Sequence, residues 1–134
     1  MRVVLDTNVL LSGIFFGGTP GRILDAWRSG EIGIVISPDI LDEYLRAGEE
    51  LTREYGDLEL SPLLALVGHH AEMVDAPALE ESVSRDPEDD KFLACALGAG
   101  VEIVISGDDD LLSVDRWRGI EVLSPRAFVD AHLT

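Results

Sequence analysis

The sequence predicts an α/β fold with a mainly parallel central sheet. Four short apolar runs rich in branched residues read as strands: Val3-Val4-Leu5, Ile32 to Ile36, Val101 to Ile105, and Ile120-Glu121-Val122-Leu123. Segments with helical spacing of apolar residues separate them, and strands alternating with helices in this way feed a parallel sheet. Ser-Pro or Thr-Pro pairs recur at 19–20, 37–38, 61–62 and 124–125, the pairing expected where a helix begins.

The first strand runs from Arg2 to Leu5 and ends at Asp6. Asn8 to Phe16 is apolar and predicts a short helix. Gly17 to Gly21 predicts a turn, with Thr19-Pro20 as cap and first residue of a helix carrying Ile23, Leu24 and Trp27 and ending at Gly30. After the second strand, Ser37 caps a long helix from Pro38 to about Tyr55, whose apolar stripe is Ile40, Leu41, Tyr44 and Leu45. Ser61-Pro62 opens a further helix that ends near His69-His70, and Met73-Val74 is a short extended piece. Asp86-Pro87-Glu88-Asp89-Asp90 opens a helix with Phe92, Leu93, Ala96 and Leu97 on its core face, closed by Gly98 and Gly100. Gly107 to Leu112 is a turn entering a helical stub, and Ser124-Pro125 caps the last helix.

A chain of 134 residues suits one domain, 1–134, able to bury a core without disulfides. Cys95, the only cysteine, lies in an apolar run and reads as a small buried hydrophobe. No secretory pattern and no membrane-length apolar stretch is present, so the expectation is a soluble cytoplasmic protein with no membrane contact. The charge is extreme: 26 acidic against 10 basic residues, a formal net of −16. A solvated surface suited to high salt, a docking face for a basic partner and a cation site could each contribute. Such a surface repels nucleic acid, although bound divalent cations reverse the local field. The arginines available to guide a polyanion are few, namely Arg22, Arg28, Arg46, Arg53 and Arg85.

Ligands of parallel α/β sheets sit beyond the carboxyl ends of the strands. That rule selects Asp6, directly after the first strand, and Asp108, just after the third. If those strands are neighbours, about 5 Å apart, one metal ion can bridge the two acids. Glu43, in the second turn of its helix, and Asp89, at a helix start, can reach the same edge. Four carboxylates gathered together raise each other's pKa unless a cation compensates. Mg²⁺ or Mn²⁺ suits such oxygen ligands, and could activate water for phosphodiester attack. Taken singly, each acid has a plainer use as a cap or a helix-dipole partner. Asn8 and Ser106 are accessory polar groups at the same edge.

The motifs resemble those of PIN-domain ribonucleases. Val-Val-Leu-Asp-Thr-Asn-Val-Leu at the start is similar to the family's first motif. Ile-Ser-Pro-Asp-Ile-Leu-Asp-Glu-Tyr-Leu at 36–45 resembles the second, Arg-Asp-Pro-Glu-Asp-Asp-Lys-Phe-Leu at 85–93 the third, and Ile-Ser-Gly-Asp-Asp-Asp-Leu-Leu at 105–112 the fourth. The resemblance implies a three-layer α/β/α sandwich and a Mg²⁺- or Mn²⁺-dependent endoribonuclease. Small members of the VapC type are toxins paired with a cognate antitoxin, and many form homodimers. Carried over by motif, the catalytic acids are Asp6, Glu43, Asp89 and Asp108, with Asp110 peripheral. Asp90 is the alternative to Asp89. Asp6, Asp89 and Asp108 would bind metal directly or through water, and Glu43 would stand one layer out or orient the attacking water.

Other readings fit less well. A haloacid-dehalogenase-type phosphatase wants a second Asp where Asn8 stands, and Lys91 stands in the wrong context for its lysine. A response-regulator receiver domain needs paired acids at the first strand. The serious alternative is the same fold as a catalytically inert module that binds an antitoxin-like partner.

Overall fold

The computed structural model describes residues 1–133, with His69 described in its backbone only. In chain order the elements are β1 (Arg2–Leu5), α1 (Thr7–Phe15), α2 (Gly18–Arg28), β2 (Gly33–Ile36), α3 (Pro38–Glu54), α4 (Ser61–His70) and β3 (Ala71–Met73). One 3-10 turn, Pro87–Asp89, then leads into α5 (Asp90–Ala99), followed by β4 (Ile103–Ile105), α6 (Asp109–Leu112), β5 (Arg116–Trp117), β6 (Ile120–Leu123) and α7 (Pro125–His132).

The six strands form one sheet in the order β3-β2-β1-β4-β6-β5, parallel except for β5. β1 lies at the centre, with Val3 opposite Ile34 on one side and Leu5 opposite Ile105 on the other. From β1 the chain moves outward through β2 to β3, then returns across β1 to β4. Right-handed crossovers therefore place α1, α2 and α4 on one face and α5 on the other. Packing agrees: α2 contacts α1, α4 and α7, while α5 lies across β1, β2, β4 and β6. The result is the predicted three-layer α/β/α sandwich.

Strands covered on both faces must be apolar throughout. Val3, Val4, Leu5, Ile34, Val35, Ile36, Val104 and Ile105 accordingly have almost no exposed surface. On one face Phe92, Leu93, Cys95 and Ala96 of α5 fill the gap, and on the other Leu10, Ile23, Leu24 and Trp27 do so. Burial pushes the Cys95 thiol up to about 11, which leaves it an inert packing group. Gly13 shows how closely the helices approach. A Cβ there would lie 2.6 Å from Leu24 Cδ1 and 2.9 Å from the Pro20 carbonyl oxygen. Since the oxygen belongs to backbone, Gly13→Ala should destabilise the fold by about 1–3 kcal/mol, measured by urea unfolding.

Several elements differ in detail from expectation. α2 starts at Gly18 with Gly17 (φ 75°) as its cap, so Thr19 and Pro20 are inside the first turn. Proline is tolerated there because its missing N–H would have had no helical acceptor. Leu60, not Ser61, occupies the cap of α4, and no side chain bonds to the helix start. Gly98 lies inside α5 where a Cβ would strike Pro77, and Gly100, in the left-handed region at φ 68°, alone ends the helix. The antiparallel strand β5 was not expected. Ser37 and Ser124 cap α3 and α7 as expected, accepting from Ile40 N and Ala127 N. Among the described residues no helix is long and apolar enough to cross a membrane.

Candidate active site

The carboxyl ends of β1 and β4 meet at the centre of one sheet edge. Leu5 and Ile105 are register partners, and Asp6 N continues the ladder by donating to Ile105 O at 2.9 Å. This pairing puts Asp6 beside Ser106. The Ser106 hydroxyl, fully buried, donates to Asp6 Oδ2 at 2.7 Å and accepts from Asp108 N at 3.0 Å. One serine therefore orders both strand-end acids. Ser106→Ala removes a hydrogen bond to a buried carboxylate and should cost about 1–3 kcal/mol in thermal or urea unfolding.

Asp6 occupies the cap position of α1, yet its side chain makes no capping hydrogen bond. The carboxylate is 5 % exposed and faces the acids instead. Its pKa is raised, first by burial and then by the charges of Glu43 and Asp108, against the lowering effect of Ser106. The Tyr44 hydroxyl, from α3, donates to Leu5 O at 2.6 Å and braces the strand end just before Asp6. Full burial and the nearby acids push the Tyr44 pKa well up, so it is a neutral strut.

Asp89 comes from the 3-10 turn that leads into α5. Its Oδ2 is buried and has no hydrogen-bond partner among the described residues. Its pKa is pushed up to about 8 by burial, by the Asp108 carboxyl close beside it, and by Asp6 and Asp86. Asp90 points elsewhere: its carboxylate accepts the amides of Val83 and Ser84 and ties the preceding loop to α5. Of this pair, only Asp89 faces the other acids. Asp108 has a double use, since its Oδ1 also caps α6 by accepting from Asp110 N at 3.3 Å.

Glu43 arrives from the second turn of α3, with both carboxylate oxygens engaged. Lys91 Nζ lies 2.7 Å from Oε1, and the Thr7 hydroxyl donates to Oε2. Asp110 Oδ1 pairs with Arg85 Nε at 3.1 Å. One oxygen each from Asp86, Asp89 and Asp110 lie within 4.8 Å of one another, so Asp89 links the strand-end acids to a second, more peripheral group. Asn8 is exposed in the first turn of α1. His70, at the end of α4, accepts the Trp27 indole N–H through its carbonyl, far from these acids in the fold, and the His69 side chain lies outside the described residues.

Thr7, Lys91 and Asp86 were not singled out from sequence. Thr7 and Asp86 carried a signal in lying next to or near acids already chosen. Lys91 carried one in being the only lysine of a strongly acidic chain. The five arginines do not converge. Arg28 and Arg46 pair within their own helices, and Arg85 alone stands beside the acids.

The protein-family model described as the PIN domain matches residues 2–110. The chain belongs to the PIN domain family. The matched span includes the first three sequence motifs, the fourth as far as Asp110, and the whole acidic edge. Among solved structures, this PIN domain is similar to VapBC2 from Rickettsia felis, bound to a DNA fragment from its promoter. The TM-score is 0.63 at 13 % identity, over 92 % of this chain and 98 % of that one. It is also similar to PAE2754 from Pyrobaculum aerophilum, with a TM-score of 0.62 at 13 % identity, over 98 % of this chain and 88 % of that one. At that identity the likeness concerns the fold. No curated protein matches the PIN domain's sequence significantly.

Proposed function

We propose that this PIN domain is a Mg²⁺- or Mn²⁺-dependent endoribonuclease and the toxin of a toxin–antitoxin pair. The observation that carries the reading is Asp6. It is a buried carboxylate at a helix start that caps nothing, held by Ser106 toward Asp108, Asp89 and Glu43.

A divalent cation fits the residues present. The available donors are carboxylate oxygens, which suit a hard ion, and His or Cys ligands of the kind zinc prefers are not among them. The buried, unpartnered Asp89 Oδ2 is an oxygen that such an ion would satisfy. Asp6, Asp89 and Asp108 would hold it. Bound there, it would supply activation of a water molecule and neutralisation of charge developing on a phosphodiester. The protein's own share is positioning. Ser106 fixes Asp6 and the Asp108 backbone, Tyr44 fixes the end of β1, and the Lys91–Thr7 pair fixes Glu43. Without a cation, Asp89 holds a proton near neutral pH, which relieves the repulsion within the cluster.

The PIN family match supports the nuclease class, and the VapBC2 neighbour supports an antitoxin partner. The family resemblance extends the reading to a homodimer. Because the net charge is −16 and few arginines face the site, RNA affinity should depend on the bound cation. Purified protein should cleave single-stranded RNA with Mn²⁺ or Mg²⁺ and stop on addition of EDTA. A broad RNA panel left intact under both metals would favour an inert module that binds a partner.

A further inference from the structure

We propose that Lys91 is a positioning residue that clamps Glu43 outside the ligand set of the cation. The inference rests on reading the acidic edge as a divalent-cation site, and it gives Glu43 a different part from Asp6, Asp89 and Asp108.

The geometry is that of a closed clamp. Lys91 Nζ lies 2.7 Å from Glu43 Oε1, and the two side chains are 13 % and 26 % exposed. The Thr7 hydroxyl takes Oε2. Each Glu43 oxygen thus has a partner supplied by the chain itself, one of them ionic. Among the described residues Lys91 Nζ makes one further ion pair within 4.0 Å, with the largely exposed Glu88 at 3.7 Å, which is the weaker attraction. Thr7 is the first residue of α1, Glu43 lies in the second turn of α3, and Lys91 lies in the first turn of α5. The clamp therefore joins three helices from both faces of the sheet at its carboxyl edge.

Asp89 is the contrast. Its Oδ2 is buried and unpartnered, and is open to a ligand as the Glu43 oxygens are not. A cation on either Glu43 oxygen would compete with the short, poorly solvated ion pair or with the Thr7 hydroxyl, and would stand close to the Lys91 ammonium. Two like charges at such range repel strongly where water is scarce. Kept as a pair, Glu43 and Lys91 add almost no net charge to the site, and the cation meets the three remaining acids.

The test is Mn²⁺ binding to the full chain without RNA, followed by loss of the electron paramagnetic resonance signal of the free ion. Lys91→Met removes a positive charge and frees Glu43, so Mn²⁺ should bind about three- to tenfold more tightly. Glu43→Gln should weaken binding by a similar factor. The Glu43→Gln, Lys91→Met double variant removes the pair as a neutral unit and should stay within about twofold of wild type. RNA cleavage at saturating Mn²⁺ should fall in Lys91→Met and be partly restored by Lys91→Arg, which keeps the charge. Weaker Mn²⁺ binding in Lys91→Met, or a loss of about tenfold or more in the double variant, overturns the clamp. If Lys91→Met does not fold, by circular dichroism, the charge-neutral double variant decides. Wild type that binds Mn²⁺ without cutting RNA sinks the ribonuclease reading and leaves the clamp standing. Wild type that binds no Mn²⁺ sinks the clamp.

Discussion

Asp6→Asn should lose RNA cleavage by more than about a hundredfold while melting at or above the wild-type temperature. The first half follows from its place. Removing a group that merely supports a metal ligand costs roughly 10–100-fold, and a buried acid facing the cation should cost more. The second half follows from its electrostatics. The Asp6 carboxylate is nearly fully buried and its ionised form is opposed by burial and by the charges of Glu43 and Asp108. An amide of the same shape removes that repulsion. Its oxygen can still accept from Ser106 Oγ, and its NH₂ can donate to the neighbouring carboxylates. A gain in stability with a loss of activity marks a residue kept for function at a cost to the fold. If the chain is a toxin, expressing it alone should arrest growth, and the same variant should relieve that arrest. Cleavage at the wild-type rate would remove Asp6 from the chemistry.

The second large effect is a stability that runs opposite to ordinary carboxylates. In EDTA, the melting temperature should fall as pH rises from about 5 to 8.5. Asp89 titrates near 3.8 when unfolded and near 8 when folded. Between those values the folded chain binds more protons than the unfolded chain. Stability is therefore fully present at the acid end of the window and is lost as pH rises through the folded pKa. Asp6, also raised, adds in the same direction. If Mn²⁺ binds the ionised acids, as the proposed site requires, the rise in melting temperature that it produces should grow with pH across the same interval. Asp89→Asn should flatten the decline. A wild-type melting temperature that climbs from pH 5 to 8 in EDTA would count against a protonated Asp89.

The strands that define the site were readable because each is an uninterrupted apolar run, as burial on both faces demands. The acids Asp6 and Asp108 were readable because the residue after such a run must lie at the sheet edge. Strand β5 was not, since two residues, Arg116 and Trp117, show no alternation, and their pairing with Ile120 and Glu121 depends on a tight turn through Arg118, at φ 48°, and Gly119. The choice between Asp89 and Asp90 was open because adjacent residues at a helix start can exchange roles. It turns on whether Val83 and Ser84 pass close enough to claim a carboxylate. Lys91 and Thr7 were missed for a related reason. Their partner Glu43 is 48 and 36 residues away, and no local pattern signals which side chains meet after three helices have packed.

The hydrogen bond between Ser106 and Asp6 spans 100 residues. Strand β1 is made before both of its neighbours, and β4 is made long after β2. Loop closure on that scale is slow compared with local helix formation. Until β4 has been made, α1 to α4 can pack against β1 and β2, yet Asp6 then faces no second strand end. Whatever chemistry the acids carry is therefore absent until β4 has docked beside β1.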